Sequence, residues 1–542
     1  MPAPLSVGVA CSAVIGLLLN RGQKPACQIV VLKLEWTDQP RICFEGLDEA
    51  TNEISCHRRA VVHRNLASSH NAIKEFPLVF RMLIINKLEL VLFEHFFNRV
   101  GMRSKSQFQE GHFQNKFDQL VSSKHLENII EQFGPQKRRP PQLPLHKLIS
   151  SLVFHVLQDS GTFAFNVKQL TVQQISDSAL SQRRENIPWM VFERIMDCAL
   201  SAKADRAQHP EAFYQGRLLM GIDGSQFSVR NTPRNKKSFI KAASRRMKAA
   251  FGKVGVSVLT ELGLHNPVAA MVGSPGMSEQ ELSRPLLDKL PPRSLLLGDR
   301  LYGLGCWVKR MKDIHPEGDR DFLFRVKSTC KAKVLEIFPD GSAWVEIQVE
   351  GEKIQLREIR GRVRRPGGKW SEVRLWTSLK DWKPCPAGEL LSLYGRRWEQ
   401  EIFYKELKVD MRSAELLNSH TEVTAAQEIA ALILAHAILV DQRMAAAAEG
   451  EVDVLRISFK KTLHYMEPLW LVIQCSEGLL TRNQIREMTR RVMVQIAACA
   501  IPPRRKRSCP RAVRQPIGSW PRLLKNTYQH GATEWTISPI GK

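Results

Sequence analysis

The chain has 542 residues, with 79 Lys and Arg against 54 Asp and Glu, for a formal net charge of +25. At that length it holds about two to four domains with ample core, and its 43% hydrophobic and 25% charged content excludes a globally disordered chain. So large a positive surplus favours a polyanionic partner, either nucleic acid or an anionic membrane.

Residues 1–112 mix short apolar runs with no sustained period and carry Cys11, Cys27, Cys43 and Cys56. They read either as a small extra domain or as sequence upstream of a later natural start, at Met82 or Met102. Val7 to Leu19 resembles a signal-peptide core. No Lys or Arg precedes it, however, and it is too short to span a bilayer. No other membrane-spanning candidate is read, which disfavours a membrane partner. The 11 cysteines form no Cys-x-x-Cys pair, which argues against structural zinc and suits a reducing cytoplasm.

Residues 113–215 read as a helical domain. Phe117 to Leu120, Leu145 to Leu157 and Val191 to Leu200 place apolar residues at helical spacing. Ser176 is expected to cap a helix carrying Gln182, Arg183 and Arg184, read either as the recognition helix of a helix-turn-helix unit or as an ordinary capped surface helix.

From Leu218 the pattern changes to strands: 218–224, 255–260, 268–272, 294–299 and 322–327. An amphipathic helix is expected from Ser278 to Leu290, and another from Leu304 to Lys312. Residues 328–378 read as all-β, with Pro-Asp-Gly and Pro-Gly-Gly turns. Long helices follow at about 422–448, 462–475 and 482–500, and then a basic tail. Positive charge concentrates in three places. One is the acid-free stretch from Gly224 to Thr260, another surrounds Arg360 to Lys369, and the third is Arg504 to Arg514. Three such clusters favour a phosphate backbone over a solvated face.

Two acids stand at the ends of buried strands, Asp223 after Leu-Leu-Met-Gly-Ile and Asp299 after Leu-Leu-Leu-Gly. Taken singly, Asp223 also reads as the start of an Asp-Gly turn and Asp299 as a helix cap. A helix-length segment then runs from Tyr394 to Lys408. At about 100° per residue, Tyr394, Arg397, Glu401, Lys405 and Lys408 share an arc of roughly 80°. That stripe suits a polyanion held by cations with a metal held by the acid. It equally describes a solvated face of Glu–Lys pairs. The order strand–Asp, strand–Asp, helix–Glu favours the functional reading. If the strands are neighbours and the helix crosses them, three hard oxygen ligands converge, a set that selects Mg²⁺ or Mn²⁺.

These motifs resemble a known family. Asp223 in Gly-Ile-Asp-Gly-Ser, Asp299 in Leu-Leu-Gly-Asp-Arg-Leu-Tyr-Gly, and Tyr394–Arg397–Glu401–Lys408 in a Y-(2)-R-(3)-E-(6)-K spacing are similar to bacterial DDE transposases of the insertion-sequence-4 family. Gln427-Glu428, Ile457-Ser-Phe-Lys460 and Arg507-Ser-Cys-Pro-Arg511 extend the likeness over about residues 117–514. The resemblance implies a mixed α/β fold: an RNase H-like catalytic core over 216–437, with a β-rich insertion at about 328–378. Helical domains at 113–215 and 438–542 would flank it. It implies that Asp223, Asp299 and Glu401 are catalytic and bind two Mg²⁺ ions, for which Mn²⁺ substitutes. Tyr394, Arg397 and Lys408, helped by Lys405, would hold DNA. The implied partners are the inverted-repeat ends of a transposon, target DNA and a second copy of the chain, with excision through a hairpin intermediate. Some members of the family flip a base onto an aromatic residue of the insertion, for which Trp344, Trp370 and Trp376 are candidates; Trp344 and Trp376 read rather as sheet packing, which leaves Trp370 beside the basic turn. The family commonly has Gly two residues after the second acid, where this chain has Leu301.

Overall fold

The computed structural model describes residues 112–502, except 136–141, 159–160, 240, 242–248, 365–369, 413 and 477–478, together with the backbone of four strands between Ser12 and Val61. The chain forms two compact units, Met1–Gln107 and Phe108–Lys542. In the first, β1 (Ser12–Leu19), β2 (Gln28–Glu35), β3 (Arg41–Leu47) and β4 (Ile54–Val61) pair in chain order as an antiparallel meander. Most of the apolar run at 7–19 is thus a strand.

The second unit opens with α1 (His112–Leu120), α2 (Ser123–Phe133), α3 (Leu145–His155), α4 (Phe163–Thr171), α5 (Asp177–Glu185) and α6 (Trp189–Ala199). Ser176 does cap α5, its Oγ accepting the Ala179 N–H at 3.3 Å. The arginines it was expected to present are not free. Arg183 donates to the Leu143 carbonyl, and Arg184 donates to the Thr424 carbonyl at 2.9 Å and to Gln427 Oε1 at 3.4 Å. This helix end is a joint between packed elements.

A large mixed sheet follows. Its strands are β5 (Phe213–Tyr214), β6 (Arg217–Val229), β7 (Lys253–Glu261), β8 (Asn266–Val272), β9 (Ser294–Gly303) and β10 (Arg320–Val326), then β11 (Lys333–Ile337), β12 (Ala343–Val349), β13 (Glu352–Arg364) and β14 (Trp370–Thr377). The order across it is β11-β12-β13-β14-β10-β9-β6-β7-β8. β6, β9 and β10 run parallel at the centre, β7 and β8 return antiparallel on one side, and β14 joins the insertion to β10 on the other. The parallel strands are covered on both faces. Leu295 and Leu297 pack into one cluster and Leu296 into another, which explains their uninterrupted apolar runs. With helices α1 to α6 before it and more after it, this sheet is the core of a mixed α/β unit with helical flanks.

Between strands lie α7 (Pro233–Ser238), α8 (Glu279–Ser283) and α9 (Gly305–Ile314). The expected long helix from Ser278 stops after α8 and continues as a 3₁₀ segment, Arg284–Lys289, because Pro285 cannot donate an i→i−4 bond. After the insertion come α10 (Ala387–Leu393), α11 (Trp398–Lys405), the short β15 (Leu416–Leu417), α12 (Glu422–Glu449), α13 (Phe459–Cys475) and α14 (Arg482–Ala498). Helix α12 is long and apolar enough to cross a membrane, a candidate missed in the sequence. It is buried instead, from Ala425 to Val440, as the central rod of the helical core.

Replacing Arg184 with Ala is expected to lower unfolding stability by about 2–3 kcal/mol, because Thr424 O and Gln427 lose a buried donor. Thermal unfolding measures this, and gel shifts normalised to folded protein are expected to show unchanged DNA affinity. A selective loss of DNA binding would restore the recognition-helix reading.

Candidate active site

The parallel ladder between β6 and β9 pairs Leu218 with Ser294 and runs to Gly221 with Leu297. Asp223 and Asp299 each lie two residues further on, so they emerge on the same face of neighbouring strands. The Asp223 backbone is held independently: its carbonyl accepts from Tyr404 Oη at 2.6 Å and from Ser257 Oγ at 3.1 Å. Its carboxylate accepts the Gly224 N–H at 2.9 Å. The Asp299 carboxylate accepts the Leu301 N–H at 2.7 Å. Leu301, the departure from the family pattern, turns its side chain into the apolar cluster beneath, so its bulk leaves that turn closed.

The third acid arrives on a segment more broken than its sequence periodicity suggests. Tyr394–Arg397 is 3₁₀, α11 is α-helical, and Glu406–Asp410 is a π turn. Two bonds lock α11 onto the sheet, Gln400 Nε2 to the Val258 carbonyl at 3.1 Å and Tyr404 to Asp223. Glu401 stands between these anchors. It is paired with Arg397 at 2.7 Å, and Arg397 also lies in the field of Asp223 and Tyr394. One guanidinium therefore serves both the helix acid and the first strand acid.

The π turn divides the cationic stripe. Lys408 returns to β6, donating to Ser225 Oγ at 2.5 Å and to the Gln226 carbonyl at 2.8 Å. Lys405 does not join it. It pairs with Asp410 at 2.7 Å and lines a cavity of about 620 Å³ together with Arg396, Glu399, Glu406 and Arg456, whereas Glu401 and Lys408 are not among the residues lining it. Lys405 lies one α-helical turn after Glu401, yet its ammonium turns to Asp410, and the period changes only beyond it, at Glu406–Asp410.

Electrostatics mark the site. Burial, reinforced by the charges of Glu279 and Asp299, pushes the Asp223 carboxyl up to about 7, against the pull of Arg397 and the Gly224 N–H. Burial likewise lifts the Tyr394 phenol to about 12, despite the Arg397 guanidinium beside it. Arg325 lies in the field of Asp299, Tyr394 and Arg397, adding a cation that sequence reasoning passed over. Glu279 was missed as well. It was read only as the acidic start of a helix, yet its Oε1 accepts from Gly224 N at 3.0 Å and from Tyr302 Oη at 3.1 Å.

Hard carboxylate oxygens mounted on rigid strands suit a divalent cation in chemistry. Among the described residues, no three His, Cys, Asp or Glu side chains converge as one metal-holding group. Glu401 grips Arg397 instead, so the set Asp223, Asp299 and Glu401 fits an ion only when Glu401 exchanges that guanidinium for it. Of the tryptophans, Trp376 is buried and donates to Glu358 at 2.9 Å, which removes it as a base platform. Trp344 donates to Gln355 at 3.1 Å and lies 5.0 Å from the Lys380 ammonium. The side chain of Trp370 lies outside the described residues.

A family model described as "Transposase DDE domain" matches residues 215–438. "Transposase InsG for insertion sequence element IS4" of Escherichia coli (strain K12) is 24% identical over 430 residues, spanning 74% of this chain and 92% of that protein. A cryo-EM structure of a "piggyBac transposase synaptic complex with hairpin DNA" aligns over 72% of this chain and 86% of its own, at 11% identity. Its TM-score of 0.35 is too low to bear on the chemistry.

The folded state binds a proton at Asp223 that the unfolded chain, near 3.8, does not hold between about pH 4 and 7. The ionised carboxylate therefore opposes folding increasingly across that window. Asp223→Asn is expected to raise the melting temperature at pH 8 in EDTA, by roughly 2–4 °C for each kcal/mol of repulsion relieved. The gain is expected to vanish below pH 4. A calorimetric series that shows no pH-dependent gain would contradict the crowded-acid geometry.

Proposed function

We propose that the chain is a DDE transposase of the insertion-sequence-4 family, which cleaves the inverted-repeat ends of its own element and joins them to target DNA through Asp223, Asp299 and Glu401. DNA is its partner, and divalent-metal use comes with the family. Mg²⁺, with Mn²⁺ as substitute, is the ion we assign. The observation that carries the reading is the in-register emergence of Asp223 and Asp299 from adjacent parallel strands, with the signature helix locked across them by Tyr404.

When bound there, divalent ions would activate an attacking water or 3′-hydroxyl and neutralise the leaving oxygen. The residues do the rest. Asp223 and Asp299 supply ligand oxygens whose backbone is fixed by the ladder and needs no rearrangement. Arg397 balances Glu401 and Asp223 in the absence of DNA. An incoming phosphate offers that guanidinium a bidentate partner and frees Glu401. Tyr394 and Lys408 would fix the strand. Lys405, paired with Asp410, contributes little. The helices of 113–215 would engage duplex DNA away from the cut, the core would be 216–437, and 438–542 would support it. A homodimer with two ends in synapsis, in a bacterial cytoplasm, completes the assignment.

The test incubates purified protein with a labelled inverted-repeat end, target plasmid and Mg²⁺. Joined product supports the reading. Cleavage without joining would reduce the protein to a nuclease, and a shifted but uncut band to a DNA-binding relic. Asp223→Ala, Asp299→Ala and Glu401→Ala are each expected to abolish cleavage and spare binding, and a variant that still cuts removes its residue from the site. Lys408→Ala is expected to weaken binding across sequences and reduce the salt slope by about one, whereas Lys405→Ala leaves the slope unchanged. Equal effects from the two lysines would contradict the split made by the π turn.

A further inference from the structure

Glu279 is a carboxylate packed beside Asp223 that the family signature does not include. It opens α8, whose start is fixed by a reciprocal cap: Ser278 Oγ accepts the Glu281 N–H at 3.3 Å and Glu281 accepts the Ser278 N–H at 2.7 Å. Its Oε1 takes two donors from two different strands, the Gly224 N–H of β6 at 3.0 Å and the Tyr302 hydroxyl of β9 at 3.1 Å. Gly224 directly follows Asp223, and Tyr302 lies three residues after Asp299 in the same strand.

A second path runs beside this one. Tyr302 Oη lies 2.9 Å from Ser283 Oγ, which lies 2.7 Å from Ser257 Oγ, and Ser257 donates to the Asp223 carbonyl at 3.1 Å. Tyr302, Ser283 and Ser257 are all buried. Helix α8 is thus hydrogen-bonded to both acid-bearing strands, just where the β6–β9 ladder has ceased to pair them.

Gly224 gives an independent sign that the contact is built in. Its φ is not positive, so turn geometry does not demand glycine there. A Cβ at that position would lie 2.3 Å from Glu279 Cγ and 2.5 Å from Cδ. The missing side chain is what lets Glu279 reach the backbone beside Asp223.

We propose that Glu279 is a positioning residue of the cleavage site, clamping the two strands together just past Asp223 and Asp299 through Gly224 N–H and Tyr302 hydroxyl, so that the two aspartates present their oxygens at a fixed separation. The proposal rests on the assignment of those aspartates as cation ligands. Acceptor capacity at Oε1 is what the clamp uses, and a glutamine retains it. A direct ligand would need the carboxylate itself.

The experiment is a Mn²⁺ titration of the full-length protein without DNA, followed by electron paramagnetic resonance of free Mn²⁺, with cleavage of an inverted-repeat end measured in parallel. Circular dichroism establishes folding first. Glu279→Ala is expected to weaken Mn²⁺ binding about 10–100-fold, as loss of a residue orienting a ligand does. Gly224→Ala, which displaces Glu279 while leaving it in place chemically, is expected to reproduce the defect. Tyr302→Phe, removing one of the two donors, should give a smaller one. Glu279→Gln is expected to restore most of the affinity.

Wild-type affinity in Glu279→Ala would overturn the clamp. Equal loss in Glu279→Gln and Glu279→Ala would also overturn it, by making the carboxylate a ligand in its own right. Should Glu279→Ala fail to fold, the comparison of Gly224→Ala with Tyr302→Phe decides, since normal Mn²⁺ binding in both refutes the clamp. Failure of the underlying assignment is seen separately: Asp223→Ala would then bind Mn²⁺ as wild type does.

Discussion

Like charges must be held together where two neighbouring strands stop pairing, and the second unit is arranged around that constraint. Burial, reinforced by the neighbouring charges of Glu279 and Asp299, pushes the Asp223 carboxyl up to about 7. Left to side-chain rotamers alone, such acids would turn apart into solvent. Here the backbone carries the strain: a parallel ladder sets the two strands side by side, and buried hydroxyls grip the Asp223 carbonyl from Tyr404 and Ser257. Arg397 supplies the compensating charge from the helix. The crowding is thus tolerated because the groups that create it are fixed by bonds to the main chain, which titration does not break.

The far side of the signature helix is built on the opposite electrostatic logic. Glu406 is buried, yet it accepts from His265 at 2.9 Å and from His436 and Arg443 at 3.0 Å each. Burial by itself would raise its carboxyl, and the His265 and Arg443 charges hold it well below the usual range instead. His265 reaches Glu399 as well, at 3.0 Å, so residues on both sides of Glu401 are tied into one ionic core. A fully partnered charge of this kind adds little net stability but is costly to break. It specifies the rotation of the helix and makes the π turn at Glu406 the place where the register must change.

Much of this was legible in the sequence. The strand runs ending on Asp223 and Asp299 are unambiguous because parallel strands covered on both faces must be apolar throughout. The β-rich insertion announced itself through its turn dipeptides, and its four strands fall where alternation put them. What periodicity could not deliver was any feature set by a change of period or by contact across the fold. One repeat drawn through Tyr394 to Lys408 took no account of the passage from 3₁₀ to α to π over that stretch, nor of Asp410, which draws the Lys405 ammonium to itself. Pro285 was visible, yet its power to cut the helix after Ser283 was underweighted. Glu279 carries no local signature at all. Only the packing of α8 on β6 reveals why it and the glycine opposite it belong together.

Of the residues outside the acidic trio that resemble the transposase pattern, Gln427-Glu428 finds a physical reading as a joint, while Arg507–Arg511 lies outside the described residues. Gln427 donates to the carbonyls of Arg184 and Ile187, at 2.9 and 3.2 Å, binding the end of α5 to the start of α12. Glu428, one residue on, accepts the N–H groups of Asn418 and Ser419 at 3.1 and 3.0 Å. Those residues in turn hold the basic loop after β6, through Arg230 to Asn418 Oδ1 at 2.5 Å and Asn235 to the Ser419 carbonyl at 3.2 Å. Gln427-Glu428 thus links the amino-terminal helices, the strand carrying Asp223 and the central rod α12. A change at this dipeptide would loosen the basic loop and the helical domain at once, although it makes no contact with the acids.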